Sequence, residues 1–148
     1  MPGSEDAPVL IVEDDCHALS GYLEYLAGAG YEVVGAADGS AALPLAMTRG
    51  ARLVVTDIGL PGMNGFDLAT ALRAFPLTRA VPIIGITANW GREIHLRASA
   101  VQMTAVLRKP CLPAHLLAEV ERAVRGHNSN NSDIPGRSDW TWSVAAPD

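Results

Sequence analysis

The chain has 148 residues, a length that one folded domain of roughly 100–200 residues fills, so this sequence has no room for a second large domain. Apolar residues make up 49% of it, enough for a core of two or three layers. Its 11 basic and 16 acidic residues give a formal net charge of −5. That balance argues against nucleic-acid binding, because neutralising phosphates requires a basic surface.

The sequence also argues against membrane insertion and secretion. Every apolar run is interrupted well before the ~18 residues that a spanning helix needs. Residues 1–7 contain Glu5 and Asp6 and no apolar signal segment. The two cysteines, Cys16 and Cys111, are too few for a disulfide framework or a zinc site. We therefore expect a cytoplasmic protein.

Short apolar runs predict the strands of a sheet. Most of them are continuous rather than alternating, which is typical of parallel strands that are covered on both faces. In chain order the predicted strands lie within residues 9–12, 31–37, 53–55, 81–86 and 105–107.

The intervals between these runs predict helices. The first has Leu19, Leu23 and Leu26 on one face, and the intervals at 39–49 and 91–101 have weaker patterns. Pro44 should lie near the start of its helix or kink it. The predicted helices cover residues 16–29, 39–49, 66–75, 91–101 and 113–125. Strand and helix alternate throughout, which predicts a doubly wound α/β fold.

Composition divides the chain into a short lead at residues 1–7, a folded domain at 8–126 and a flexible tail at 127–148. The polar tail cannot bury enough apolar area to offset the entropy of ordering. Trp140 and Trp142 in the tail are either incidental or part of a docking peptide, and both interpretations stay open.

Polar and charged residues follow four of the predicted strands. Glu13 and Asp14 follow the first, Asp57 the third, Thr87 the fourth and Lys109 the last. In open parallel sheets, ligands bind beyond the carboxyl ends of the strands. One aspartate at such a position means little, but the joint pattern predicts a functional site.

These segments resemble the receiver domain of bacterial two-component response regulators. The matching sequences are VLIVEDD at 9–15, DIGLPGMNG at 57–65, ITA at 86–88 and KP at 109–110, in receiver-like order and spacing over roughly residues 8–125. The resemblance implies a five-stranded parallel sheet in the order 2-1-3-4-5 with five flanking helices.

The resemblance also implies a role for each strand-end residue. Asp57 matches the phosphoacceptor, Thr87 the hydroxyl that engages the phosphoryl group, and Lys109 the cation that pairs with it. The implied cofactor is Mg²⁺ or Mn²⁺, and its ligands are Asp14, Asp57, the Gly59 backbone carbonyl and, through a water, Glu13.

Phosphoryl chemistry explains these residue types. A carboxylate that attacks an anionic phosphoryl group is electrostatically opposed, and Mg²⁺ reduces the opposition by bridging the two. Without metal, we expect repulsion among the carboxylates and a raised pKa for at least one of them.

The sequence departs from the family pattern at Val106, where many receivers carry an aromatic residue that swings inward, and also at Gln102 and Arg108. The aliphatic side chain of Val106 cannot report a move of Thr87 in the same way. Trp90, three residues after Thr87, is either an exposed anchor or a cover for the fourth helix.

The resemblance implies a signalling protein rather than an enzyme. We expect a stand-alone receiver with no output domain, a phosphorylation switch or relay intermediate whose donor is a histidine kinase or a histidine phosphotransfer protein. Its output would be a protein partner, or a second copy of the chain, at the face of the fourth helix, fifth strand and fifth helix. One alternative is an adaptor whose interactions with partners do not depend on phosphorylation. A Mg²⁺-dependent phosphohydrolase is disfavoured because Gly59 stands where its general acid would be.

Overall fold

The computed structural model describes residues 7–128, in which strands and helices alternate. The elements are β1 (Val9–Val12), α1 (Cys16–Gly28), β2 (Val33–Ala36), α2 (Gly39–Arg49), β3 (Leu53–Asp57), α3 (Gly65–Arg73), β4 (Ile83–Thr87), α4 (Arg92–Ala100), β5 (Ala105–Arg108) and α5 (Pro113–Asn128). The predicted alternation is confirmed.

The strands form one parallel sheet in the order β2-β1-β3-β4-β5. This confirms the fold that the resemblance implied. β1 pairs with β3 so that Val12 lies opposite Thr56, and β3 pairs with β4 so that Asp57 lies opposite Ile86. The carboxyl ends of β1, β3 and β4 therefore meet at one edge of the sheet, where ligands bind in such folds.

Both faces of the sheet are covered, which explains the continuous apolar runs. Along β1, Leu10 and Val12 belong to the core cluster beneath α2, α3 and α4, whereas Val9 and Ile11 belong to the cluster beneath α1 and α5. All four side chains are at most 2% exposed. The alternation of side chains along a strand thus supplies both clusters.

Helix α2 has its predicted bounds, but Pro44 lies well inside it rather than near its start, at a position where proline cannot donate a backbone hydrogen bond to the preceding turn. Helix α5 continues to Asn128, so the first two residues assigned to the tail are helical. In a helix that is already anchored on the sheet, each added residue gains one backbone hydrogen bond. Trp140 and Trp142 lie outside the described residues.

Among the described helices, none combines the length and the apolar character needed to cross a bilayer.

Candidate functional site

Three carboxylates meet where β1 and β3 end. One oxygen each from Glu13, Asp14 and Asp57 lies within 4.8 Å of the others. Glu13 is 2% exposed and Asp57 6% exposed, whereas Asp14 is exposed to solvent. The pairing of β1 with β3 produces this cluster, because residues that follow paired positions lie side by side.

Lys109 brings a positive charge into the carboxylate cluster. Its Nζ atom donates a hydrogen bond of 2.7 Å to Asp57 Oδ2 and lies 3.4 Å from Glu13 Oε1. The backbone N–H of Lys109 donates to the Thr87 carbonyl at 2.8 Å, and a cis peptide bond links Lys109 to Pro110. Burial lowers the pKa of Lys109, but the hydrogen bond and charge of Asp57, with the charge of Glu13, raise it above its ordinary value. The ammonium group therefore stays charged at neutral pH.

Glu13 has a raised pKa, as the sequence analysis expected for at least one acid. The main cause, however, is burial, which disfavours the charged form. Repulsion from Asp57 adds to the rise, while the hydrogen bond from the Asp15 backbone N–H and the charge of Lys109 oppose it. Repulsion between carboxylates, the only cause expected from the sequence, is therefore a smaller contribution than burial.

The cluster suits a hard divalent cation. Its three side chains offer only oxygen ligands, which Mg²⁺ and Mn²⁺ prefer. Glu13 Oε1 is buried and faces the Lys109 ammonium at 3.4 Å, but it accepts no well-aligned hydrogen bond from the described residues, so a lone pair is available there. Asp57 Oδ1 already accepts the backbone N–H of Gly59 at 2.9 Å. The residues present therefore fit the implied metal.

Thr87 lies at the end of β4 and is 2% exposed. Its hydroxyl donates to the Asn89 carbonyl at 3.0 Å and accepts the Asn89 backbone N–H at 3.0 Å. The hydroxyl is thus bonded to its own loop in this structure. Asn89 was not predicted from the sequence as a residue of the site. The signal was a threonine followed two residues later by asparagine at a strand end, a pattern typical of side-chain turns.

The turn between β3 and α3 packs tightly beneath Asp57. A Cβ atom added to Gly65 would lie 2.7 Å from the Asp57 carbonyl oxygen and 2.7 Å from Ile58 Cα. Gly62 has φ +70°, a conformation that glycine adopts without steric cost. Asn64 and Asp67 then form a reciprocal capping box at the start of α3. These features hold the backbone of Asp57 against α3.

Trp90 covers the start of α4 rather than projecting as an exposed anchor. It is half-buried against the core cluster beneath α4. Its ring meets the His95 ring edge-on, with centroids 4.7 Å apart, and the Arg108 guanidinium lies 5.8 Å from its centroid.

Val106, opposite Gly85 in the sheet, is completely buried and aliphatic.

Residues 9–121 match the sequence family described as the response regulator receiver domain. The chain is 37% identical over 117 residues to regulatory protein VanRB of Enterococcus faecalis, covering 79% of this chain and 52% of that protein. Transcriptional regulatory protein PdtaR of Mycobacterium tuberculosis is 35% identical, with 78% and 56% covered. Among solved structures, chemotaxis protein CheY4 of Vibrio cholerae is 33% identical with a TM-score of 0.76, covering 79% of this chain and 98% of that one. The chain therefore spans about half the length of the curated relatives it matches.

Proposed function

This chain belongs to the response regulator receiver family, and we propose that it accepts a phosphoryl group on Asp57 and acts through the modified form. One observation carries the proposal: the Asp57 carboxylate is buried, lies beside the carboxylates of Glu13 and Asp14, and accepts a hydrogen bond from Lys109 at 2.7 Å. A carboxylate in this position can act as the nucleophile, and the cation beside it can form an ion pair with the phosphoryl oxygens.

In the transfer step, a carboxylate oxygen of Asp57 forms a bond to phosphorus while the bond from phosphorus to the donor's imidazole nitrogen breaks. The imidazole keeps the bonding electron pair and takes a proton from solvent. Asp14, Asp57 and the Gly59 carbonyl would hold Mg²⁺ or Mn²⁺, with Glu13 acting through a water, and the cation would supply positive charge against the phosphoryl oxygens. The N–H of Gly59 orients Asp57 Oδ1.

After transfer, Asp57 carries a phosphoryl group with about −1.5 to −2 charges. Lys109, which is already hydrogen-bonded to Asp57, then pairs with a phosphoryl oxygen. Thr87 can donate its hydroxyl proton to another oxygen only by giving up its bond to the Asn89 carbonyl. A local change in charge is thereby converted into a change in the loop after β4.

We propose that the chain acts in the cytoplasm and that its phosphoryl donor is a histidine kinase or a histidine phosphotransfer protein. The output is the binding of a protein partner, or of a second copy of the chain, at the face formed by α4, β5 and α5. One observation favours a second candidate, a phosphorylation-independent adaptor: the fully buried Val106 offers no ring that could swing between two positions.

Intact-mass measurement with a small phosphodonor tests the proposal. The purified chain is incubated with acetyl phosphate in Mg²⁺ and in EDTA. We expect a gain of one phosphoryl group that requires Mg²⁺ and is lost in Asp57→Asn. Asp14→Asn should need more Mg²⁺, whereas Asp15→Asn, which alters the neighbouring exposed helix cap, should not. A folded chain that gains no phosphoryl group from acetyl phosphate or from histidine kinases contradicts the proposal and favours the adaptor.

A further inference from the structure

Helix α4 is tied firmly at its carboxyl end. The Arg73 guanidinium donates hydrogen bonds to the carbonyls of Val101 at 3.0 Å and Gln102 at 2.9 Å, just beyond α4. It also donates to the carbonyls of Arg79 and Val81, each at 2.7 Å, in the loop between α3 and β4. One guanidinium with its planar set of donors therefore fastens two segments to α3.

The amino end of α4 lacks a side-chain cap. Its N-cap residue is Gly91, which has no side chain that could accept a hydrogen bond from the first turn. The preceding loop is held by the reciprocal pair between Thr87 and Asn89. A helix start without a capping side chain lacks the stabilisation that a capping hydrogen bond provides.

Trp90 lies between the loop that Thr87 and Asn89 hold and the amino end of α4. It stands one residue after Asn89, and its ring contacts His95, which belongs to the amino-terminal half of α4, and the guanidinium of Arg108 on β5. A displacement of the loop at residues 88–91 therefore moves a ring that touches both α4 and β5. Val106 on β5 has no comparable ring.

We propose that Trp90 is the positioning residue that transmits the state of Asp57 from Thr87 to α4, and that α4 pivots about its end held by Arg73. This inference rests on the proposed function. When the Thr87 hydroxyl donates to a phosphoryl oxygen, it gives up its hydrogen bond to the Asn89 carbonyl, and this tie on the loop is lost. Trp90 then leaves its contacts with His95 and Arg108, and the first turns of α4 move while the carboxyl end stays fixed.

Tryptophan emission tests the first half of the proposal. Trp140→Phe with Trp142→Phe leaves Trp90 as the remaining tryptophan of three. We expect its emission to change on incubation with acetyl phosphate and Mg²⁺, at the same rate as the intact mass gains a phosphoryl group. In a Thr87→Val background, compared at equal phosphorylated fraction, the change should be lost. Thr87→Val retains the Trp90 side chain, so this test does not depend on replacing the tryptophan.

Hydrogen exchange tests the pivot. On phosphorylation, residues 88–95 should exchange faster, while residues 98–102, at the end held by Arg73, should not change. At equal phosphorylated fraction, Trp90→Ala should abolish the change within α4. Tyr25→Ala, which removes a 44% exposed ring on α1 across the sheet, should preserve it.

The outcomes separate this inference from the proposed function. A phosphorylated chain with unchanged Trp90 emission, or with equal exchange changes at both ends of α4, overturns the inference and leaves the acceptor site intact. A chain that gains no phosphoryl group overturns both.

Discussion

Replacing Lys109 with methionine removes the ammonium group that lies between Asp57 and Glu13. The substitution keeps an unbranched apolar side chain of similar length, so the main loss is charge. Without metal, the buried carboxylates then face each other without a compensating cation. We expect a loss of stability that bound Mg²⁺ largely restores, because the ion supplies the missing positive charge.

The size of this stability loss follows from how deeply the three charged side chains are buried. An exposed ion pair contributes about 0–1 kcal/mol, and removing one partner of a fully buried pair costs about 3–5 kcal/mol. The Lys109 side chain is 31% exposed, while those of Asp57 and Glu13 are 7% and 2% exposed. We therefore expect Lys109→Met to lower the free energy of unfolding by about 2–3 kcal/mol in EDTA, an intermediate value discounted for solvent screening. With saturating Mg²⁺ the cost should fall below about 1 kcal/mol.

Urea unfolding at neutral pH, followed by circular dichroism in EDTA and in millimolar Mg²⁺, measures both costs. Arg108→Met is the matched control, because it removes the neighbouring cation, whose guanidinium lies over Trp90 and not among the carboxylates. Its cost should be the same in both conditions. If Lys109→Met costs the same in Mg²⁺ as in EDTA, the electrostatic account of the site is refuted.

Three further predictions concern the scaffold around the site. Arg73→Ala should lower the free energy of unfolding by about 2–4 kcal/mol, because two of its four acceptors are part-buried carbonyls. In urea unfolding an Arg52→Ala control, which removes a contact with a ring, should cost less than about 1 kcal/mol, and equal costs would argue against the anchor. Gly65→Ala should cost about 1–3 kcal/mol in the same assay, since the added Cβ meets backbone at 2.7 Å, and a neutral result would contradict the tight turn. Burial raises the pKa of Cys111 to about 11. At mildly alkaline pH, iodoacetamide should therefore alkylate Cys111 more slowly than the exposed Cys16, as followed by peptide mass spectrometry. The reverse order would be inconsistent with this burial.

The fold was predictable because its signals are local. The runs that became β1 and β3 are continuous and apolar, which strands buried on both faces require. Polar residues directly after them marked the edge where the strands end. The order of the strands came from the resemblance, since periodicity alone does not determine which strands pair.

The rest of the site depends on contacts that leave no side-chain pattern in the sequence. Arg73 bonds only to backbone carbonyls in its four described hydrogen bonds, so no complementary acid pointed to it. The burial of Glu13, which dominates its raised pKa, arises from the whole tertiary packing. The packing of Trp90 on His95 and Arg108 likewise joins a loop, a helix and a strand.

The central claim is that Asp57 carries the phosphoryl group. Borohydride reduction tests this most directly, because it converts an aspartyl phosphate to homoserine, which peptide mass spectrometry then locates. After phosphorylation in Mg²⁺, we expect homoserine at position 57 alone and none in the unphosphorylated chain. Homoserine at Asp14 or at any other aspartate, or none at all in a chain that has gained a phosphoryl group, would contradict the account.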